Sequence, residues 1–131
     1  INLIVIDGSP GIGCPVIASI AGVDAALVVT EPTMSGIHDL KRVLNLLDHF
    51  KVKPFVCINM YDINPSNTDL ILSFCKENNV EVVGTISFNP QITEAMVNEK
   101  TIIEYSPTSV VSKEIESAWN KMIKFLGVEN Y

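Results

Sequence analysis

Residues 4–15 of the chain read Ile4-Val5-Ile6-Asp7-Gly8-Ser9-Pro10-Gly11-Ile12-Gly13-Cys14-Pro15. An apolar run ends on an acid, a glycine-rich turn follows, and Pro15 is placed to open a helix. A carboxylate at that point can orient the water shell of a nucleotide-bound magnesium, while the glycines let backbone N–H groups approach the terminal phosphate. On residue types alone, an ordinary turn or capping role for Asp7 is an equal alternative.

Four apolar runs rich in Val and Ile lie along the chain, at Asn2–Ile6, Ala25–Thr30, Pro54–Asn59 and Glu81–Ile86. None alternates cleanly between apolar and polar residues, which is typical of strands covered on both faces of a parallel sheet. Helical patterns separate the runs, and the last one predicts a stripe that Gly127 ends. This alternation predicts an α/β domain with a mainly parallel sheet flanked by helices, part of a three-layer domain.

Because ligands of such sheets bind at the carboxyl ends of the strands, the loops after the four runs are where a site is expected. Asn59 ends the third run and Asp62 follows it, which resembles the base-reading N-K-x-D signature with Met60 in place of the lysine. Alone, both residues are more often turn formers than base readers, but their place two strands after the Asp-Gly loop favours base reading. Ser35 is expected to cap the helix after the second run, and Ser66 with Asp69 to form a capping box at the start of the helix after the third run.

Composition excludes several classes of function. The 131 residues carry a formal charge of −6 and show no cluster of Lys or Arg, so a nucleic-acid surface is not expected. Cys14, Cys57 and Cys75 share no metal-ligand spacing, which favours a reducing, cytoplasmic setting over a disulfide framework. No apolar run is long enough to span a membrane.

The chain has no G-x-x-x-x-G-K-[ST] motif, so the cradle for the inner phosphates of a nucleotide is missing from it. It also begins at Ile1 inside a strand-like run. We therefore expect residues 1–131 to be the carboxyl-terminal part of one domain whose phosphate-binding loop lies upstream.

Taken in order, these blocks make nearly the whole chain resemble the second half of a MinD/ParA-type P-loop ATPase, of the CobQ/CobB/MinD/ParA group. It is most similar to the subgroup with an inserted ferredoxin domain, often described as cobyrinic acid a,c-diamide synthase-like. The segments that carry the resemblance are 6–15, 29–33, 58–64, 93–97 and 103–105.

The resemblance implies roles that the composition does not show. Asp7 matches the family's switch II acid, which holds magnesium through water, and Gly11 matches the glycine that senses the terminal phosphate, with Gly8 and Pro10 beside them. Asn59, with Asp62, matches the base-reading position, and Asn89 and Pro90 are expected to line the base.

The same resemblance implies ATP and Mg²⁺ as cofactors and a homodimeric parent ATPase. In the subgroup it further implies iron–sulfur clusters upstream and an electron-transfer or metalloprotein partner. Three residues depart from the family pattern, namely Ser9, Met60 and Ser87.

Two other classes of function fit part of the sequence. In a signalling receiver domain, Asp7 would be phosphorylated with Thr30 nearby, although no lysine ends the fourth run. A binding fragment without activity of its own is the third interpretation.

Overall fold

The computed structural model describes residues 3–128, which form three strands and six helices. Their bounds, in chain order, are α1 Cys14–Ile20, β1 Ala25–Thr30, α2 Met34–His49, β2 Lys53–Asn59, α3 Pro65–Glu77, β3 Glu81–Ile86, α4 Gln91–Val97, α5 Ile102–Tyr105 and α6 Val110–Leu126. The predicted strands at 25–30, 54–59 and 81–86 are confirmed, the middle one with an extra residue at its start.

The strands form a parallel sheet in the order β1-β2-β3. Val28 pairs with Val56, and Val56 pairs with Val82 across the next ladder. Because successive residues of β2 point to opposite faces, Val56 and Ile58 pack among α1, α2 and α3, whereas Phe55 and Cys57 face the side of α4, α5 and α6. The predicted α/β architecture, with a helical layer on each face of a parallel sheet, is confirmed.

Glycine at position 84 lets α6 approach the sheet closely. A Cβ added to Gly84 would lie 2.7 Å from Cβ of Ala118, closer than side-chain atoms approach in folded proteins. The stripe of α6 that packs here includes Ala118 and Met122, and the helix ends at Gly127 with φ of +68°, as the sequence predicts. One long helix, α6, therefore packs on one face of the sheet at β2 and β3.

Two predicted helix starts are each wrong by two residues. Thr33, not Ser35, caps α2, because its hydroxyl oxygen accepts a hydrogen bond from the backbone N–H of Gly36 at 2.9 Å. Asn64, not Ser66, caps α3, since Pro65 presets the first helical φ and the Asn64 side chain accepts from the N–H of Asn67 at 3.1 Å. In both cases a cap residue stands further upstream than the one expected.

The predicted strand at Asn2–Ile6 is not formed in its described part; Asn2 itself lies outside the described residues. Residues 3–9 have no regular structure, and Ile4, Val5 and Ile6 are 86%, 73% and 55% exposed. A parallel strand needs a neighbouring backbone for its hydrogen bonds, and none lies beside this segment in the described part of the chain. The strand predicted from this run is therefore wrong for residues 3–6, because no backbone of the described residues pairs with them.

β1 is consequently an edge of the sheet. Leu27 and Val29, on its face toward α6, are 46% and 61% exposed, whereas Val83 at the equivalent face of β3 is fully buried. Within residues 3–128, none of the helices is both long and apolar enough to cross a lipid bilayer.

Candidate functional site

A groove of about 660 Å³ runs along the free edge of β1. It is lined on one side by the loop from Asp7 to Ile12 together with α1, and on the other by β1 and by α2 as far as Leu47. Asn59 lines the same groove from the carboxyl end of β2. The groove thus brings together five of the residues singled out in the sequence: Asp7, Gly8, Pro10, Gly11 and Asn59.

The Asp7 loop is exposed, and Gly11 holds the conformation that its turn needs. Its φ of +92° lies in a region that side chains disfavour, and the space where a Cβ would stand is open. Gly8 is different, because a Cβ there would make ordinary contacts of 3.7 Å with Ser19. Packing alone does not require glycine at position 8, so the bare backbone at Gly8 is free for another purpose, such as close approach of a ligand.

Helix α1 starts directly after this loop, as predicted from Pro15. The carbonyl oxygen of Gly13 accepts from the N–H groups of Val16 and Ile17, and no side chain caps the helix. The backbone thus turns from the glycine-rich loop into a helix within a single residue.

Asn59 is half-buried at the end of β2. Its side-chain oxygen accepts a hydrogen bond from the backbone N–H of Met60 at 3.0 Å, and Met60 has a positive φ of 51°. This is the turn geometry that the sequence left open as an alternative to base reading. The carboxamide nitrogen retains two donors for a further partner.

Asp62, Asn89 and Pro90 lie on the two neighbouring loops and are not among the residues that line the groove. Asp62 Oδ1 accepts a hydrogen bond from the backbone N–H of Phe88 at 2.8 Å, which ties the loop after β2 to the loop after β3. Asn89 Oδ1 accepts from the N–H of Gln91 at 2.9 Å at the start of α4. The structure therefore places these residues beside the carboxyl end of the sheet, with Asp62 bound to backbone.

The charge of the groove limits what can bind there. Among the described residues that line it, three are carboxylates and one is a guanidinium: Asp7, Glu31, Asp39 and Arg42. A polyphosphate carries several negative charges, so it needs more cations than this lining supplies. The described residues also contain no group of three or more His, Cys, Asp and Glu side chains that could hold a metal ion by themselves. One carboxylate from the loop is enough for a magnesium held through water whose direct ligands are phosphate oxygens and other groups.

Thr30 is at the carboxyl end of β1 but its hydroxyl is engaged. The group is buried and donates to the carbonyl oxygen of Gly36 at 3.2 Å. This bond argues against the receiver interpretation, in which Thr30 would assist a phosphorylated Asp7.

Comparison with known proteins supports the fold. No family model matches the chain. An uncharacterized protein of Methanocaldococcus jannaschii is 29% identical over 122 residues, which are 93% of this chain and 40% of that protein. The chain thus spans less than half the length of that relative.

Among solved structures, the MinD cell division protein of Aquifex aeolicus superposes with a TM-score of 0.75 at 20% identity, over 89% of this chain and 51% of that one. The septum site-determining protein MinD of Pyrococcus horikoshii, complexed with Mg-ADP, gives 0.76 at 18% identity, over 95% and 51%. The MinC:MinD cell division protein complex of Aquifex aeolicus gives 0.73 at 19%, over 87% and 48%. The chain has the fold of about half of a MinD ATPase.

Proposed function

We propose that this chain is the carboxyl-terminal part of an ATP-binding and ATP-hydrolysing switch domain, and that ATP and Mg²⁺ bind at the end of the groove where Asp7, Gly11 and Asn59 lie. The observation that carries the proposal is the convergence of Asp7, Gly11 and Asn59 on one groove at the carboxyl ends of the strands. The MinD fold supports it, as does the Mg-ADP bound by the Pyrococcus horikoshii protein.

In this proposal the missing elements come from upstream in a longer protein. A further parallel strand pairs with the free edge of β1 and gives the first apolar run a backbone partner, and the layer of side chains that comes with it packs on Val29. The loop that follows this strand supplies the phosphate cradle and the cation that the groove needs. A match over 40% of a longer relative is consistent with such a protein.

The residues of this chain then have separate tasks. Asp7 holds magnesium through water, and the metal neutralises charge on the transferred phosphoryl group. Gly8 and Gly11 allow backbone N–H groups to approach the terminal phosphate, with Pro10 fixing the turn between them. Asn59 contacts the adenine through its free amide donors, and Asn89 with Pro90 borders the base.

The output of hydrolysis is a change in the loop from Gly8 to Gly13. We propose a homodimer as the working form, and coupling to iron–sulfur electron transfer or cluster handling through a metalloprotein partner as the purpose of the switch. Sedimentation with ATP present tests the dimer. Iron and acid-labile sulfide analysis of the longer protein tests the clusters, whose absence there would remove this coupling from the proposal.

The catalytic role of Asp7 is tested by ATP turnover in the longer protein. Asp7→Ala is expected to lower kcat by about a hundredfold or more, the cost of removing one preorganised group that stabilises transition-state charge. Asp24→Ala removes an exposed aspartate that does not line the groove and serves as the matched control, with kcat expected within about twofold of the unchanged protein. Equal turnover in the two variants would contradict the role of Asp7.

A further inference from the structure

The loop after β3 is held from the side of α6 by one carboxylate. Glu114 Oε2 accepts a hydrogen bond from the backbone N–H of Ser87 at 3.0 Å, and Oε1 accepts from the hydroxyl of the same residue. Charge-assisted bonds of this kind are stronger than neutral ones. Ser87 is thus fixed through both its backbone and its side chain.

The same loop is held from the opposite side by the loop after β2. Asp62 Oδ1 accepts from the N–H of Phe88 at 2.8 Å, and the N–H of Tyr61 donates to the carbonyl oxygen of Ile86 at 3.1 Å. Three consecutive residues, 86 to 88, are therefore tied down immediately before Asn89 and Pro90. Small displacements of these anchors would be passed directly to the two residues that follow.

Glu114 lies at the margin of the buried stripe of α6. It stands three residues after Val111 and four before Ala118, which are both buried, and is itself half-buried. Placing a carboxylate there costs desolvation energy, which its hydrogen bonds to Ser87 offset. A side chain that only packed there would not need a carboxylate. Both carboxylate oxygens of Glu114 accept hydrogen bonds from Ser87, so we assign this side chain to holding the loop.

We infer that Glu114 and Asp62 are positioning residues for the base-binding loop, acting through Ser87 and Phe88 to fix Asn89 and Pro90 against the nucleotide base. The inference rests on the proposed function, because it assigns the loop to an adenine pocket. Asp62, expected from the sequence to contact the base, acts instead through backbone. Ser87, which departs from the proline of the family pattern, supplies the two donors that Glu114 needs.

The test uses ATP turnover by the longer protein, with inorganic tripolyphosphate as a competitor that lacks a base. Glu114→Ala is expected to raise KM for ATP about tenfold, the loss of roughly one charged hydrogen bond, with kcat within about twofold. The inhibition constant of tripolyphosphate is expected to stay within about twofold, because the phosphate cradle is separate from this loop. Glu114→Gln keeps the shape and can accept from the N–H while donating to the hydroxyl, so it is expected to restore KM. Glu116→Ala, two residues away and exposed, is the matched control.

Three outcomes would overturn the inference. KM unchanged in Glu114→Ala, no restoration in Glu114→Gln, or an equal shift for ATP and tripolyphosphate would each leave Glu114 with a merely structural role. If Glu114→Ala does not fold, Ser87→Ala removes the hydroxyl bond alone, and an expected rise in KM of about threefold replaces the larger one; an unchanged KM there would overturn the inference equally. Absence of ATP binding by the unchanged longer protein would contradict the proposed function itself, and the inference with it.

Discussion

The two edges of the sheet are built from the same kind of apolar strand but are covered very differently. Val83 in β3 is fully buried beneath α6, whereas Val29 in β1 is 61% exposed on the corresponding face. The first half of the chain also leaves Ile4–Ile6 exposed across the groove. An apolar strand sequence therefore indicates a surface that is suited to burial. The structure shows that this surface is buried at β3 and largely exposed at β1.

The difference in burial between the two edges is tested most directly by truncating a valine at each of them. Val83→Ala is expected to lower the free energy of unfolding of residues 1–131 by about 2 kcal/mol, because two methyl groups leave a packed core. Val29→Ala is expected to lower it by less than about 0.5 kcal/mol, since the side chain is already largely in water. Urea unfolding followed by circular dichroism measures both.

The comparison becomes more informative in the longer protein. If a strand covers β1 there, Val29→Ala is expected to cost about as much as Val83→Ala. A cost that stays below about 0.5 kcal/mol would show that nothing packs on that face.

The reactivity of the three cysteines also distinguishes exposed from buried parts of the chain. Burial raises the pKa of the Cys57 thiol, with a further contribution from the nearby Glu114 carboxylate, and burial also raises the pKa of Cys75. Cys14 lies exposed at the start of α1. A thiol reagent at pH 8 is therefore expected to modify Cys14 quickly and the other two only as the chain unfolds. Fast modification of Cys57 in the folded chain would contradict the packing described for the α6 side.

The same pKa shifts give the sign of a stability effect. Because the folded chain holds these two thiol protons more tightly than the unfolded chain does, their contribution is fully present below the ordinary thiol pKa of 9.0. It is lost as the pH rises above that value through the raised folded-state pKa. Unfolding free energy measured from pH 8 upward should fall, and Cys57→Ala with Cys75→Ala should reduce the slope.

The sequence predicted the three observed strands well because short continuous runs rich in Val and Ile are typical of buried strands. Ala25–Thr30 and Glu81–Ile86 agree with the structure to the residue. The run at Asn2–Ile6 has the same character, yet its described residues pair with no strand of residues 3–128. Local sequence therefore predicts the tendency to form a strand but not the presence of its partner.

Part of the lining of the groove could be predicted from the ends of the apolar runs, whereas the roles of these residues stay predictions. Asp7 and Asn59 both follow apolar runs, and both line one groove. The hydrogen bond from Phe88 to Asp62 and the pair of bonds from Ser87 to Glu114 join residues 26 and 27 positions apart, and no local pattern signals them. The helical spacing of Glu114 from Val111 and Ala118 is the signal that was available, since a carboxylate at the margin of a buried stripe needs a partner.

ATP binding measured by calorimetry, with Mg²⁺ present, tests the central claim most directly when residues 1–131 alone are compared with the longer protein that includes the upstream phosphate-binding loop. The account predicts micromolar binding and turnover for the longer protein and no measurable binding for residues 1–131, because half of the groove and its cations are absent. Equal affinity in both, with turnover by residues 1–131 that Asp7→Ala abolishes, would contradict it.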